Sequence, residues 1–361
     1  MQSKESKKVA IIVHVPASEG GGGFYNIRTK AALLEKNGFT IDVYEPYSDK
    51  HPYINDKVEY HDYNSALLVR LAKIKGIFPI LMDIKFEDKY DYIILFSFFY
   101  LRLFLRRTNF EGSKRIILCT YDMLFPEKIY KKILRKIAIL WYRLLNYSNM
   151  SILVENDVEE KMLWKSGMKI YKSPPLLESN SIKFYDNRND KFTVIFIGRL
   201  EKRKGAELLF NILRELKCAD IVFRIVGDIT SEFNNIVEKL KNKDNILFYG
   251  RVSEDKKWDL LRTSDLGIML STEESYSLVT REMLLAGLPV VTTWSPANEI
   301  FGYGVIVARQ HEVCNAIMYQ MKKWKDSYED YIQLRHSIYD TYVNKFSKDK
   351  LEKDFLNIFN D

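Results

Sequence analysis

The chain has 361 residues, 47% hydrophobic and 29% charged, a composition that suits about two globular domains and excludes a disordered chain. No apolar run approaches the roughly 20 residues of a spanning helix. The opening MQSKESKKVAIIVHV has no small-residue cleavage site after its apolar stretch and so does not read as a signal peptide. The formal charge of +7 is concentrated between Arg102 and Arg143, where eleven Lys/Arg face three acids; that is one basic patch rather than the spread of a nucleic-acid binder.

Continuous runs of Val, Ile, Leu and Phe predict strands covered on both faces, hence parallel sheets with crossover helices. In the first half they fall at 9–15, 40–44, 92–96, 116–119 and 152–154. Four glycines, Gly20 to Gly23, follow the first of these and precede a helix expected from about Phe24. Such a run lets backbone approach a ligand closely, but it lacks the G-x-G-x-x-G spacing and reads equally as a plain loop. Glu45 after the second strand is weak support for a ribose contact, and His14 reads as a strand-end histidine rather than a ligand. Cys119, Cys218 and Cys314 lie too far apart for a zinc site or a disulfide framework, which suits reduced thiols in the cytoplasm.

Residues 127–146 place Ile129, Ile133, Ile137, Leu140 and Leu144 on one helical stripe, with Lys128, Lys132, Arg135, Lys136 and Arg143 around the other side. Together with FFYLRLFLRR at 98–107, this pattern suits an anionic membrane surface. It equally suits a helix covering a sheet with its lysines in water. A linker is expected over 171–191, where Pro174-Pro175 meets a polar stretch.

The second half repeats the strand pattern at 193–197, 222–226, 246–249, 266–270, 289–293 and 305–307. After its first strand, in FIGRLEKRKG, Arg199 and Lys204 offer a planar fork and a point charge suited to a diphosphate. A solvated basic loop explains the same residues. Glu274 and Glu282 straddle the passage from the fourth strand to a helix at 278–286, where a ligand's hydroxyl pairs would find acceptors. Alternatively, Glu274 is a helix cap and Glu282 a solvated residue. An amphipathic helix is expected over 348–359.

In this order, GRLEKRKG, IVGD, LFYGRV and SDLGIMLSTEESYSLVTREMLLAGLPVVTT resemble the retaining GT-B glycosyltransferases of sequence family 4. The family's E-x7-E motif falls on Glu274 and Glu282. The resemblance implies an α/β fold of two Rossmann-like, doubly wound parallel-sheet domains facing across a cleft. Residues 1–172 would be the acceptor domain, with 346–361 packing back on it, and 173–345 the donor domain. Arg199 and Lys204 would neutralise the diphosphate of a nucleotide diphosphate sugar, Glu282 would hold the ribose, and Glu274 the transferred sugar. The N–H groups of Ser277, Leu278 and Val279 would meet phosphate or sugar oxygens, and the base would sit near Arg251 and Val252. Gly22 and Gly23 would close over the phosphates.

The implied reaction is retaining, metal-independent transfer to a glycan or lipid-linked acceptor, in cell-surface polysaccharide or glycolipid synthesis, with no cofactor. No Asp-x-Asp occurs in the chain, in keeping with Arg and Lys as the phosphate partners. A cytoplasmic enzyme peripheral on the inner membrane face is the corresponding expectation. Two positions depart from the family. Thr120-Tyr121-Asp122 stands where His-Asp is usual, leaving Asp122 or Tyr121 to position the acceptor. Ser275 and Ser277 replace glycines, and they would keep the backbone contacts if φ stays negative. A non-catalytic GT-B subunit and a nucleotide-sugar epimerase are the alternatives.

Overall fold

A computed structural model describes residues 6–13, 22–46, 59–63, 89–96, 115–120, 149–164, 167–176, 183–186, 188–216, 219–240, 244–272, 274 and 276–360. The chain divides into two compact units, Met1–Glu178 with Lys348–Asp361, and Ser179–Ser347.

In the first unit, β1 (Lys8–Ile12), α1 (Gly22–Lys36), β2 (Thr40–Pro46), β3 (Glu59–Tyr63), β4 (Tyr92–Leu95), β5 (Arg115–Cys119), β6 (Met150–Val154), α2 (Asp157–Leu163) and β7 (Lys169–Lys172) follow one another. Seven strands form a parallel sheet in the order β3-β2-β1-β4-β5-β6-β7. The central strands β1, β4, β5 and β6 are buried almost throughout, as continuous apolar runs require.

The two outer strands were not anticipated from sequence. EYHDY (β3) and KIYK (β7) are the outer strands of the sheet, short and polar, and β7 is exposed or half-exposed along its length. The expected linker therefore begins too early: Tyr171 and Lys172 close β7, paired with Leu153 and Val154.

In the second unit come β8 (Phe192–Ile197), α3 (Ala206–Glu215), β9 (Ile221–Val226), α4 (Asn234–Leu240), β10 (Ile246–Gly250), α5 (Glu254–Arg262) and β11 (Leu266–Met269). There follow α6 (Leu278–Leu285), β12 (Val290–Thr292), α7 (Pro296–Ile300), β13 (Val305–Val307), α8 (Val313–Asp326) and α9 (Tyr328–Lys345). The parallel sheet runs β10-β9-β8-β11-β12-β13. The chain winds outward from β8 to one edge and from β11 to the other, so strand order reverses between β8 and β11. Ligands of doubly wound sheets collect at the carboxyl ends of such a pair.

Phe192, Val194, Phe196, Phe210, Leu213, Ile225 and Ile268 fill the core on one face of this sheet. A buried polar tie holds α9 to the sheet: Arg335 lies 3.5 Å from Asp265, and the Tyr331 hydroxyl donates to the Asp265 carbonyl at 3.0 Å. After α9 the chain returns to the first unit as α10 (Lys348–Leu356) and a closing turn, Asn357–Phe359. There the Phe359 carbonyl accepts from Tyr92 at 2.9 Å and Lys7 at 3.2 Å, and the Ile358 carbonyl accepts from Arg115 at 2.8 Å.

Candidate functional site

The loops leaving β8 and β11 meet at the reversal point of the second sheet. The β8 loop passes exposed Arg199, makes a single 3-10 turn at Lys202–Lys204, and enters α3 through Gly205 at φ 78. A Cβ on Gly205 would lie 2.2 Å from the Leu270 carbonyl oxygen, so only glycine lets the two loops approach this closely. Thr272 N donates to the Arg203 carbonyl at 3.1 Å and locks them together.

On that scaffold Lys204 Nζ reaches Glu274 Oε1 at 2.5 Å, and Ser271 Oγ donates to the same oxygen at 2.8 Å. The two charged side chains are 24% and 15% exposed, so the pair is sheltered yet open to a ligand. Glu274 Oε2 has no hydrogen-bond partner among the described residues. Glu274 is not the helix cap. Ser277 takes that place, its Oγ accepting from Thr280 N at 3.3 Å.

Ser277 has φ 57 and is the one described non-glycine residue with positive φ. The condition set above for this serine, a negative φ, is therefore not met. The chain must turn sharply from the Glu274 loop into α6, and it keeps the left-handed backbone that glycine adopts freely. Leu278 and Val279 open α6, and first-turn N–H groups have no acceptor within a helix.

Arg281, buried, lies between the Tyr276 and Phe346 rings at 5.5 and 5.7 Å. Its neighbour Glu282 is not a solvated face residue either. Lys257 of α5 holds Glu282 Oε1 at 2.8 Å, with side chains 14% and 12% exposed. Burial pulls the Lys257 ammonium down, but Glu282 beside it and the hydrogen bonds to Glu254 and Glu282 outweigh that and hold it above its ordinary value. Lys257 was not singled out from sequence. Its one signal was a place in the first turn of the helix that follows Arg251 and Val252. Arg251 itself is 82% exposed, 3.5 Å from Asp228, while Val252 is half-buried.

In the first unit, Gly22 and Gly23 begin α1 rather than ending a loop. The helix forms two residues earlier than its apolar pattern suggested, as helix ends commonly do. Glu45 lies within β2, paired in register with Asp62. Tyr121 and Asp122 lie outside the described residues, as do His14, Ser275 and the basic segments 98–107 and 127–146.

A buried polar network missed by sequence reasoning joins the carboxyl ends of β5 and β6 to α1. Thr120 Oγ1 and Glu155 N donate to Glu159 Oε2 at 2.9 and 2.7 Å. Asn26 donates to Glu155 at 2.6 Å, and Lys30 to the Ser173 carbonyl at 3.2 Å. Burial first, and then the Glu155 charge, push the Glu159 carboxyl up to about 8. Among the described residues no cluster of His, Cys, Asp and Glu has metal-binding geometry. No described helix is long and apolar enough to cross a membrane.

Residues 178–330, which carry the loops just described, match the family model of the glycosyl transferases group 1. A 41.2 kDa protein of the cps region of Klebsiella pneumoniae is 24% identical over 299 residues, 78% of this chain and 80% of that protein. Two further curated relatives are matched over 45% and 25% of their own length. Among solved structures, sucrose-phosphate synthase of Thermosynechococcus elongatus aligns with a TM-score of 0.69 at 13% identity, covering 98% of each chain. Anabaena HepE in complex with UDP and glucose aligns with a TM-score of 0.66 at 14% identity, over 98% of this chain and 99% of that one. At such identities these likenesses establish the fold, an α/β fold of the GT-B class with two Rossmann-like units.

Proposed function

We propose that this chain, a member of the glycosyl transferases group 1 family over residues 178–330, moves a sugar from a nucleotide diphosphate sugar to a glycan or lipid-linked acceptor with retention at the anomeric carbon. The observation that carries the reading is the Lys204–Glu274 contact at the strand-order reversal, which joins a cation suited to phosphate with a carboxylate suited to sugar hydroxyls.

Arg199 and Lys204 neutralise the diphosphate, aided by the N–H groups of Ser277, Leu278 and Val279. Glu274 accepts from the transferred sugar, Glu282 accepts from the ribose, and the backbone at Arg251 and Val252 meets the base. In the first unit Asp122 positions the acceptor. The acceptor oxygen attacks the anomeric carbon from the face the diphosphate leaves. The anomeric C–O bond breaks with its electron pair going to the diphosphate, and the acceptor's proton passes to a phosphate oxygen. The protein's contribution is positioning and electrostatic stabilisation of the leaving group. With two cations for this task the reaction proceeds without a required metal.

The acceptor belongs to cell-surface polysaccharide or glycolipid synthesis, and the basic segment 98–146 brings the enzyme to the inner membrane face. A relative from a cps region supports the first of these. The likeness to a UDP-bound structure makes UDP-glucose the first donor to try.

The test is donor hydrolysis without acceptor across a panel of UDP, GDP and ADP sugars. The wild type is expected to release nucleoside diphosphate, and Glu274→Ala and Lys204→Ala to lower that rate by about 10²–10³-fold. Binding of a donor with no turnover by the wild type, even with acceptors present, would turn the reading to a non-catalytic subunit. A new sugar nucleotide formed with no loss of nucleotide would turn it to an epimerase.

A further inference from the structure

Both carboxylates of the site are gripped in the same way. Glu274 gives one oxygen to Lys204, and Glu282 gives one to Lys257, each with the second oxygen unpartnered among the described residues. In both pairs the lysine and the carboxylate come from separate segments of the chain. We propose that Lys257 is a positioning residue for ribose recognition: it commits one oxygen of Glu282 to the protein, so that the other is held in place to accept from a ribose hydroxyl. This rests on the donor reading above.

The geometry behind it starts at Gly250, whose carbonyl accepts from Gly227 N at 2.8 Å and whose φ of 63 turns the chain out of β10. Ser253 then caps α5, its Oγ accepting from Lys256 N at 3.3 Å. The Arg251–Val252 segment and the Lys257 ammonium are thereby fixed on one short stretch of chain, and Lys257 ties that stretch to α6 through Glu282. The ammonium's three donors are engaged by Glu282 at 2.8 Å and Glu254 at 2.8 Å, so its direction is set from two sides.

Stability alone gives little reason for a lysine here. Taking two charges out of water offsets most of their attraction, and an apolar side chain would fill the position about as well. A carboxylate that must stay ionised and keep one orientation does need such a partner. A free carboxylate rotates its two oxygens among several acceptor geometries, whereas one fixed through Oε1 presents Oε2 in a single direction.

The experiment is calorimetric titration of the wild type, Lys257→Met and Lys257→Arg with UDP, GDP and ADP, and with the 2′,3′-dideoxy counterpart of the tightest binder. The expected result is about tenfold weaker binding of the ribonucleotide by Lys257→Met, which is about 1.4 kcal/mol. The dideoxy ligand should bind Lys257→Met and the wild type alike, and Lys257→Arg should recover most of the ribonucleotide affinity. A merely structural lysine would weaken both ligands equally, and that result overturns the proposal, as does unchanged or tighter ribonucleotide binding. If no ribonucleoside diphosphate binds the wild type, the donor reading falls and this inference with it. If the wild type discriminates by hydroxyls and Lys257→Met does so equally well, only this inference falls.

Discussion

A single backbone angle shows how the site is built at the scale of one residue. Ser277 holds φ 57, a conformation that costs a non-glycine residue about 1–2 kcal/mol. Its hydroxyl caps α6 through Thr280, yet glycine at a cap position gives up only a few tenths of a kcal/mol relative to serine. Strain therefore outweighs the cap. Ser277→Gly is expected to stabilise the protein by about 1 kcal/mol, raising the melting temperature by about 2–4 °C in a unit of this size. A thermal melt with an unchanged or lower midpoint would show that the serine is unstrained. The next turn is equally specific: Arg281 is buried against Tyr276 and Phe346, and its neighbour Glu282, about 100° further round the helix, reaches Lys257.

Between elements, buried polar contacts set the spacing that apolar packing leaves loose. Glu159 in α2 receives hydrogen bonds from Thr120 after β5 and from the Glu155 backbone after β6, while Glu155 takes one from Asn26 in α1. With its carboxyl raised to about 8 by burial and by Glu155, Glu159 keeps a proton in the folded protein that the unfolded chain releases. The folded value lies above the unfolded one, so this contribution is complete below the ordinary glutamate range and is lost as pH rises through about 8. Urea midpoints of the wild type should fall steadily from pH 5 to pH 8, and Glu159→Gln should flatten that decline. An equal slope in both proteins would place the titration elsewhere. At this scale the sheet centres were legible and the margins were not. β8 and β11 are buried and predominantly apolar, whereas β3 and β7 carry charged residues, and those of β7 reach water.

For the molecule as a whole, the chain crosses between its two units and then returns, so its last residues belong with its first. Phe359 packs edge-on against Tyr92 and Phe39 at 4.9 and 5.3 Å, and Lys30 lies 5.4 Å from the Phe355 ring. Removing 348–361 strips two buried phenylalanines from the first unit, each a loss on the order of 3–5 kcal/mol. Hydrogen exchange should show β1 and β4 losing protection while β8 and β9 keep theirs; uniform loss would mean the two units unfold together. The sequence by itself determined the fold class, because continuous apolar strands force parallel sheets, and it set Arg199, Lys204 and Glu274 after β8 and β11, whose carboxyl ends a doubly wound sheet gathers together. Tertiary structure alone decided which partner each charge takes. Lys257 and Glu282 are distant in sequence and lie on different helices, Asn26 in α1 meets Glu155 in the turn after β6, and no local period records a contact that exists only once two elements have packed side by side.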